Sequence, residues 1–113
     1  MQFEYFRPRA DIRQLVGSYY NLSSENGFAD VMRAEIANVR FVIHGTVHSD
    51  LSGTDQPIPA GSVILCGPTF RSSNIRFDPD TVVFGAAITP LGWARMLGVP
   101  AEACADKILS LYD

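Results

Sequence analysis

The order of apolar and polar positions predicts a chain built mainly from β-strands separated by turns. Short runs rich in β-branched and aromatic residues suit a pleated surface, and clusters of Gly, Pro, Asn, Asp and Ser lie between them. These runs predict strands at 16–22, 28–33, 39–47, 62–66, 74–77 and 81–88. Closely spaced strands with short turns indicate an antiparallel sandwich or small barrel, because a parallel sheet needs a helix between each pair of strands.

The clearest predicted strand is 39–47, and its two faces differ because side chains alternate along a strand. Four of its first five residues are β-branched or aromatic. The expected core face carries Val39, Phe41, Ile43 and Val47. The opposite, more polar face carries Arg40, Val42, His44, Thr46 and His48.

The end of the chain changes from strands to two predicted short helices. Thr89 can cap a helix that begins at Pro90 and ends at Gly98, since proline suits the first helical position and glycine the end. A second helix is predicted from residue 100 to about residue 112, because apolar residues recur there at helical spacing. These residues are Ala101, Cys104 or Ala105, Ile108 and Tyr112. No stop residue follows, which is typical of a chain cut between two domains.

Length and composition fit one globular domain. The chain has 113 residues, of which 47% are apolar and 19% are charged, so it can bury one core and is unlike a disordered chain. The sequence has no apolar run of about eighteen residues and no secretion signal at its start. We therefore expect a single domain over 1–113, located in the cytoplasm and without a membrane partner.

Charge, cysteines and motifs exclude several classes of function. The net charge is −3 and the basic residues are scattered, so we expect this domain not to bind DNA by itself. Cys66 and Cys104 lie outside any metal-binding or redox motif, and both are interpreted as buried thiols. Since no nucleophile or phosphate-loop motif is present, we expect no catalytic residue, no cofactor and no enzyme activity.

The two histidines, His44 and His48, share one predicted strand face and form a candidate pair of metal ligands. Positions four apart in a strand are about 13 Å apart at ~3.3 Å per residue, so both could bind one ion only across a bend. No glutamate follows at the short interval expected of such a site. The sequence therefore favours histidines that face solvent or lie in loops, and it predicts no metal site.

A small-molecule pocket is the remaining candidate site. If the polar face of the central strand looks into a barrel, Arg40, His44 and Thr46 line its interior and would suit a small acid or sugar. If that face meets water, as on many antiparallel sheets, these residues form only a solvated surface. Phe70 could cover such a pocket or pack on a sheet edge, and Trp93 could stack on a ligand or anchor a helix to the sheet.

Several short motifs, taken together, resemble one family of bacterial regulators. They are Cys66-Gly67-Pro68-Thr69, the runs 83–93 and 97–101, Phe6-Arg7-Pro8 and the run 33–41. Over nearly all its length the chain is similar to the N-terminal domain of a branch of AraC-type transcription regulators. Residues 33–38 stand where many members carry a Pro-Asp-Gly turn, which indicates a sub-branch whose ligand could differ.

The resemblance implies a cupin-like β-domain that senses a small-molecule effector or forms a homodimer. It also implies that DNA is bound by a separate C-terminal domain with two helix-turn-helix units, which we expect in the full gene. In a purely structural variant the domain only dimerises, with Ile108 and Tyr112 on the seam of the last helix. The alternative hypothesis is a free-standing cupin-like binding protein or metalloenzyme, based on His44, His48 and an interior cavity.

Overall fold

The computed structural model describes residues 2–32, 37–50, 57–70, 72–98 and 100–110. Ten strands are present in these ranges: β1 (Gln2–Phe6), β2 (Val16–Ser24), β3 (Phe28–Met32), β4 (Asn38–His44), β5 (Thr46–Ser49), β6 (Ile58–Pro59), β7 (Val63–Cys66), β8 (Ser73–Phe77), β9 (Thr81–Ile88) and β10 (Ile108–Ser110). One α-helix, α1, covers Pro90–Met96, and a 3₁₀ helix covers Ala101–Cys104. Among these described residues, no helix has the length and apolar character needed to cross a membrane.

The strands form two antiparallel sheets. The larger sheet has six strands in the order β1-β2-β9-β4-β7-β10, and the smaller has four in the order β3-β8-β5-β6. Every described strand pair is antiparallel, and the described pairs close no barrel. The prediction of a mainly β, antiparallel fold is confirmed.

The main hydrophobic core lies between the two sheets. Tyr20, Leu22, Val42 and Val83 enter it from the six-stranded sheet, and Val47, Ile75 and Phe77 enter it from the four-stranded sheet. Alternate residues of each strand therefore point to this layer, as in a β-sandwich.

A second core lies on the other side of the six-stranded sheet, where α1 packs. Trp93 of this helix is buried with Ala37, Leu65, Ile88 and Cys104, and Val39 and Ala86 pack against the cluster. The predicted helix start is confirmed: Thr89 caps α1, and its hydroxyl accepts from the Gly92 N–H at 3.0 Å. At this end of the molecule β4 and β9 are thus covered on both faces.

The prediction of one continuous strand over 39–47 is wrong. The chain leaves the six-stranded sheet at Gly45 and continues as β5 in the four-stranded sheet. Gly45 has φ +79, and a Cβ there would lie 2.6 Å from the Thr81 Cα, so only glycine suits this crossing. Because the alternation restarts there, Val42 and Val47 both point into the main core although they are five residues apart.

The main core therefore lies on the face of β4 that was predicted to be polar. Val42, assigned to the polar face, is buried in the main core, whereas Ile43, assigned to the core face, is 59% exposed. Phe41 is also exposed, and Val39 packs on the α1 side. The number of apolar residues on each face could not show which face meets the main core, because the sheet is partly covered on both sides.

The second predicted helix, over 100–112, is also wrong. In the described part of this range, 100–110, only Ala101–Cys104 is helical, as a single 3₁₀ turn, and Asp106 then adopts a left-handed backbone with φ 54. The chain continues as β10, in which Ile108 pairs with Cys66 and Leu109 with Leu65 of β7. Residues 108–110 thus pair with β7 at the edge of the six-stranded sheet, although the spacing of their apolar residues suits a helix.

Candidate functional site

A small cavity lies between the two sheets and is the candidate functional site. Its volume is 70 Å³. The walls are mostly apolar and include Val42, Ile64, Ile75, Phe77, Val83 and Ile108. The polar residues in its lining are Arg40, Ser49, Cys66, Thr69 and Ser73. An apolar space with a few polar groups is the usual form of a small-molecule site.

Arg40 is held in this lining by a chain of hydrogen bonds. Its Nε donates to the Tyr20 hydroxyl at 2.8 Å, and that hydroxyl donates to Asn38 Oδ1 at 2.7 Å. The guanidinium also lies 5.9 Å from the centre of the Tyr20 ring. Tyr20 and Asn38 are both buried, so the orientation of the arginine is fixed by well-packed partners.

A second nitrogen of the guanidinium, Nη1, lies 3.7 Å from the Cys66 Sγ. A thiol is a weak hydrogen-bond acceptor. Arg40 and Cys66 both line the cavity, so a stronger acceptor on a bound molecule could take the place of the sulfur. The arrangement can orient a carbonyl or carboxylate group at one end of an apolar space.

The glycine at position 85 brings Arg40 and Tyr20 together. It pairs with Tyr20 on one side and with Arg40 on the other, so the three residues form one row across β2, β9 and β4. A Cβ at this position would lie 2.5 Å from the Tyr20 Cε2. Because Gly85 has no side chain, the Tyr20 ring can lie across β9 at this position and reach Arg40 on the neighbouring strand.

The structure separates His44 and Thr46 from Arg40, with which the sequence grouped them. His44 is exposed at the end of β4, and its Nδ1 donates to the Asp80 carbonyl at 2.7 Å. The Thr46 N–H donates to the Thr81 hydroxyl at 3.1 Å, beside the crossing at Gly45. Neither residue is part of the described cavity lining; of these three residues only Arg40 is.

The two aromatic candidates also lie elsewhere. Phe70 is 76% exposed, and its backbone N–H donates to Asp106 Oδ1 at 3.0 Å. Trp93 is buried in the second core, on the opposite face of the six-stranded sheet. It anchors α1 to the sheet, which is the second of the two roles that the sequence allowed for this residue.

One of the two residues of the predicted dimer seam lies in a strand and not in a helix. Ile108 lies in β10 and contributes to the cavity lining, so it cannot be on the face of a helix. Tyr112 lies outside the described residues.

The two histidines do not converge on one ion. His48 Nε2 lies 3.1 Å from Asp78 Oδ1, while His44 bonds to the backbone of Asp80. Within the described ranges, no group of three His, Cys, Asp or Glu side chains is placed to hold a metal. The geometry gives no support to the metalloenzyme alternative.

The sequence pointed to Arg40 but not to its partners. Tyr20, Asn38 and Cys66 come from β2, β4 and β7, and the order of strands in the sheet decides that they meet. Asn38 lies two residues before Arg40 on the same face of β4, but no spacing along the chain relates Tyr20 or Cys66 to this arginine. Cys66 is buried as predicted, but its contact with an arginine has no counterpart in its sequence neighbours.

Comparison with known proteins adds no relative to this picture. No model of a protein family, no curated protein and no solved structure matches the chain.

Proposed function

We propose that the chain is the regulatory domain of an AraC-type transcription regulator and that a small ligand binds between its sheets. The observation that carries the proposal is the apolar cavity with Arg40 at its wall. The antiparallel sandwich with a helix packed after its last long strand supports a cupin-like domain, as the resemblance implies. In this proposal the domain is cytoplasmic and homodimeric, and a separate C-terminal domain binds DNA.

The size of the cavity limits the ligand. A 70 Å³ space is about half of the ~150 Å³ engineered cavity that takes up benzene. A short aliphatic chain ending in a carboxylate or carbonyl group fits both the apolar walls and the guanidinium. A sugar, which the sequence also allowed, has more hydroxyl groups than these walls can satisfy.

The ligand-binding part is tested by NMR titration with propionate, using the methyl signals of residues that line the cavity. We expect the signals of Val42, Ile64 and Ile75 to shift, with a Kd in roughly the millimolar range for so small a ligand. Substitution Arg40→Met keeps a long unbranched side chain, about as long as the aliphatic stem of arginine, but removes the donors. It should weaken binding about tenfold or more, because a hydrogen bond to a charged group contributes about 1.5–3 kcal/mol.

The matched control is Arg76→Met, since Arg76 is an exposed arginine on β8. It should bind propionate as the parent chain does. Equal weakening by both substitutions would show a general charge effect, and unshifted cavity methyls would refute the proposed site.

The regulator part is tested by the native reading frame beyond the codon for Asp113. We expect it to continue for on the order of a hundred residues, as a separate domain requires, and to encode two helix-turn-helix units. A stop codon directly after Asp113 would contradict this part and favour the free-standing binding protein.

A further inference from the structure

The first strand, β1, is an open edge of the six-stranded sheet. It pairs with β2 in the register from Gln2 with Ser23 to Phe6 with Tyr19, and no described strand pairs with its other side. All five of its residues are exposed. An edge of this kind presents backbone N–H and C=O groups that can pair with another strand.

The side chains of β1 are unusually apolar for an exposed edge. Phe3 is 44% exposed, Tyr5 69% and Phe6 47%. The rings of Phe3 and Tyr5 are 4.3 Å apart on one face of the strand, and Phe6 alternates to the other face. A strand added at this edge would cover aromatic surface on both faces of the sheet.

Other sheet edges have features that discourage such pairing. The edge strand β6 has two residues, one of which is Pro59, and proline has no N–H to donate. On β3, Asp30 Oδ1 accepts from the Val31 N–H at 2.7 Å, and β10 has only three residues. Within β1 the one charged residue is Glu4, so this edge is the least protected.

We propose that β1 pairs antiparallel with β1 of a second copy of this chain, about a two-fold axis at Tyr5. A two-fold axis makes such pairing self-complementary, because each copy offers the same donors and acceptors to the other. With the axis at Tyr5, Phe3 faces Arg7 and Glu4 faces Phe6 of the other copy. An axis at Glu4 would oppose two carboxylates, which destabilises a strand pair.

The buried area makes this dimer weak and dependent on concentration. At ~150–250 Å² for each buried aromatic side chain, the exposed parts of the three rings amount to roughly 300 Å² per copy. A stable interface needs about 800 Å² per partner. The inference deepens the proposed function, on which it rests for the expectation of a homodimer, and it supplies the surface that Ile108 and Tyr112 were expected to form.

Sedimentation velocity over a wide range of protein concentration tests the edge. The parent chain should pass from monomer to dimer, and Tyr5→Asp should weaken the dimer about tenfold or more, because two like charges then meet at the axis. The control Phe70→Asp places the same charge on an aromatic residue that is also exposed and lies away from β1. A chain that stays monomeric at every concentration, or equal effects of both substitutions, would overturn the proposal.

Disulfide trapping tests the register, using the substitutions Tyr5→Cys and Glu4→Cys in separate chains. Directly opposed residues in an antiparallel pair have Cα atoms about 4.5–5.5 Å apart, within reach of a disulfide. Tyr5→Cys should therefore give a covalent dimer. Glu4→Cys should not, because its two copies would lie about 7–8 Å apart on a diagonal, and the opposite result would overturn the axis at Tyr5.

Propionate binding to Tyr5→Asp separates this inference from the proposed function. The monomeric variant should still bind propionate, since Tyr5 is not part of the described cavity lining and contacts it only through the ring of Phe3. If the chain dimerises but does not bind propionate, only the proposed ligand site is refuted. If it binds propionate but never dimerises, only the proposed pairing of β1 is refuted.

Discussion

At the scale of single residues, the contact between Gly85 and Tyr20 positions the polar end of the cavity. The tyrosine hydroxyl receives the Arg40 Nε–H and donates to Asn38, and the ring can lie there only because position 85 has no side chain. A buried hydroxyl with both a donor and an acceptor partner holds its neighbours in one arrangement. The conformation of Arg40 therefore depends on Gly85, which has no side chain and makes no contact with a ligand through one.

The substitution Gly85→Ala should destabilise the protein and disturb this network. The added Cβ would overlap the Tyr20 ring, and overpacking of a core typically costs about 1–3 kcal/mol. We expect a loss of this size in the free energy of unfolding, measured by urea denaturation, together with weaker propionate binding. Gly17→Ala is the control, because a Cβ there would lie 3.8 Å from its nearest neighbour, the Thr89 Cγ2; a similar loss in this variant would contradict the explanation.

At the scale of elements, α1 depends on its first residues more than on its length. Seven residues are too few for an isolated helix. The Thr89 hydroxyl accepts from the Gly92 N–H and donates to the Gln14 carbonyl, which connects the helix start to the turn before β2. Trp93 then attaches the helix to the sheet through the second core.

The substitution Thr89→Ala should lower the free energy of unfolding by about 1 kcal/mol, the usual cost of removing a helix cap. Urea denaturation followed by Trp93 fluorescence is a suitable measurement, because this single tryptophan lies in α1. Thr89→Ser retains the hydroxyl and should remain close to the parent chain. If the serine variant lost as much stability as the alanine variant, the methyl group and not the cap would be responsible.

The two wrong element predictions have a common physical cause. Spacing along the chain reports which residues can share a face, but not which backbone groups an edge will pair with. The spacing of Cys104 and Ile108 suits a helix, yet the edge of β7 provides hydrogen-bond partners for residues 108–110. Similarly, the apolar run through Gly45 suits one strand. The left-handed backbone of Gly45, packed closely against Thr81, instead leads the chain from one sheet to the other.

At the scale of the whole molecule, the six-stranded sheet serves both cores. One face supplies Tyr20, Leu22, Val42 and Val83 to the layer that contains the cavity. The other face supplies Leu65 and Ile88 to the layer beneath α1. A sheet buried on both sides needs apolar residues on both faces, and for this reason alternation alone did not show which face of β4 lines the cavity.

Local patterns in the sequence were enough to predict the antiparallel β character, most of the strands and the start of α1, because turn residues, β-branched runs and a capping threonine act over a few positions. They also directed attention to Arg40. Long-range packing was needed to show that Tyr20 and Cys66 contact this arginine, that His44 and Trp93 lie elsewhere, and that β1 is an open aromatic edge. These features follow from strand order and sheet packing, which join residues far apart in the chain and leave no local pattern in it.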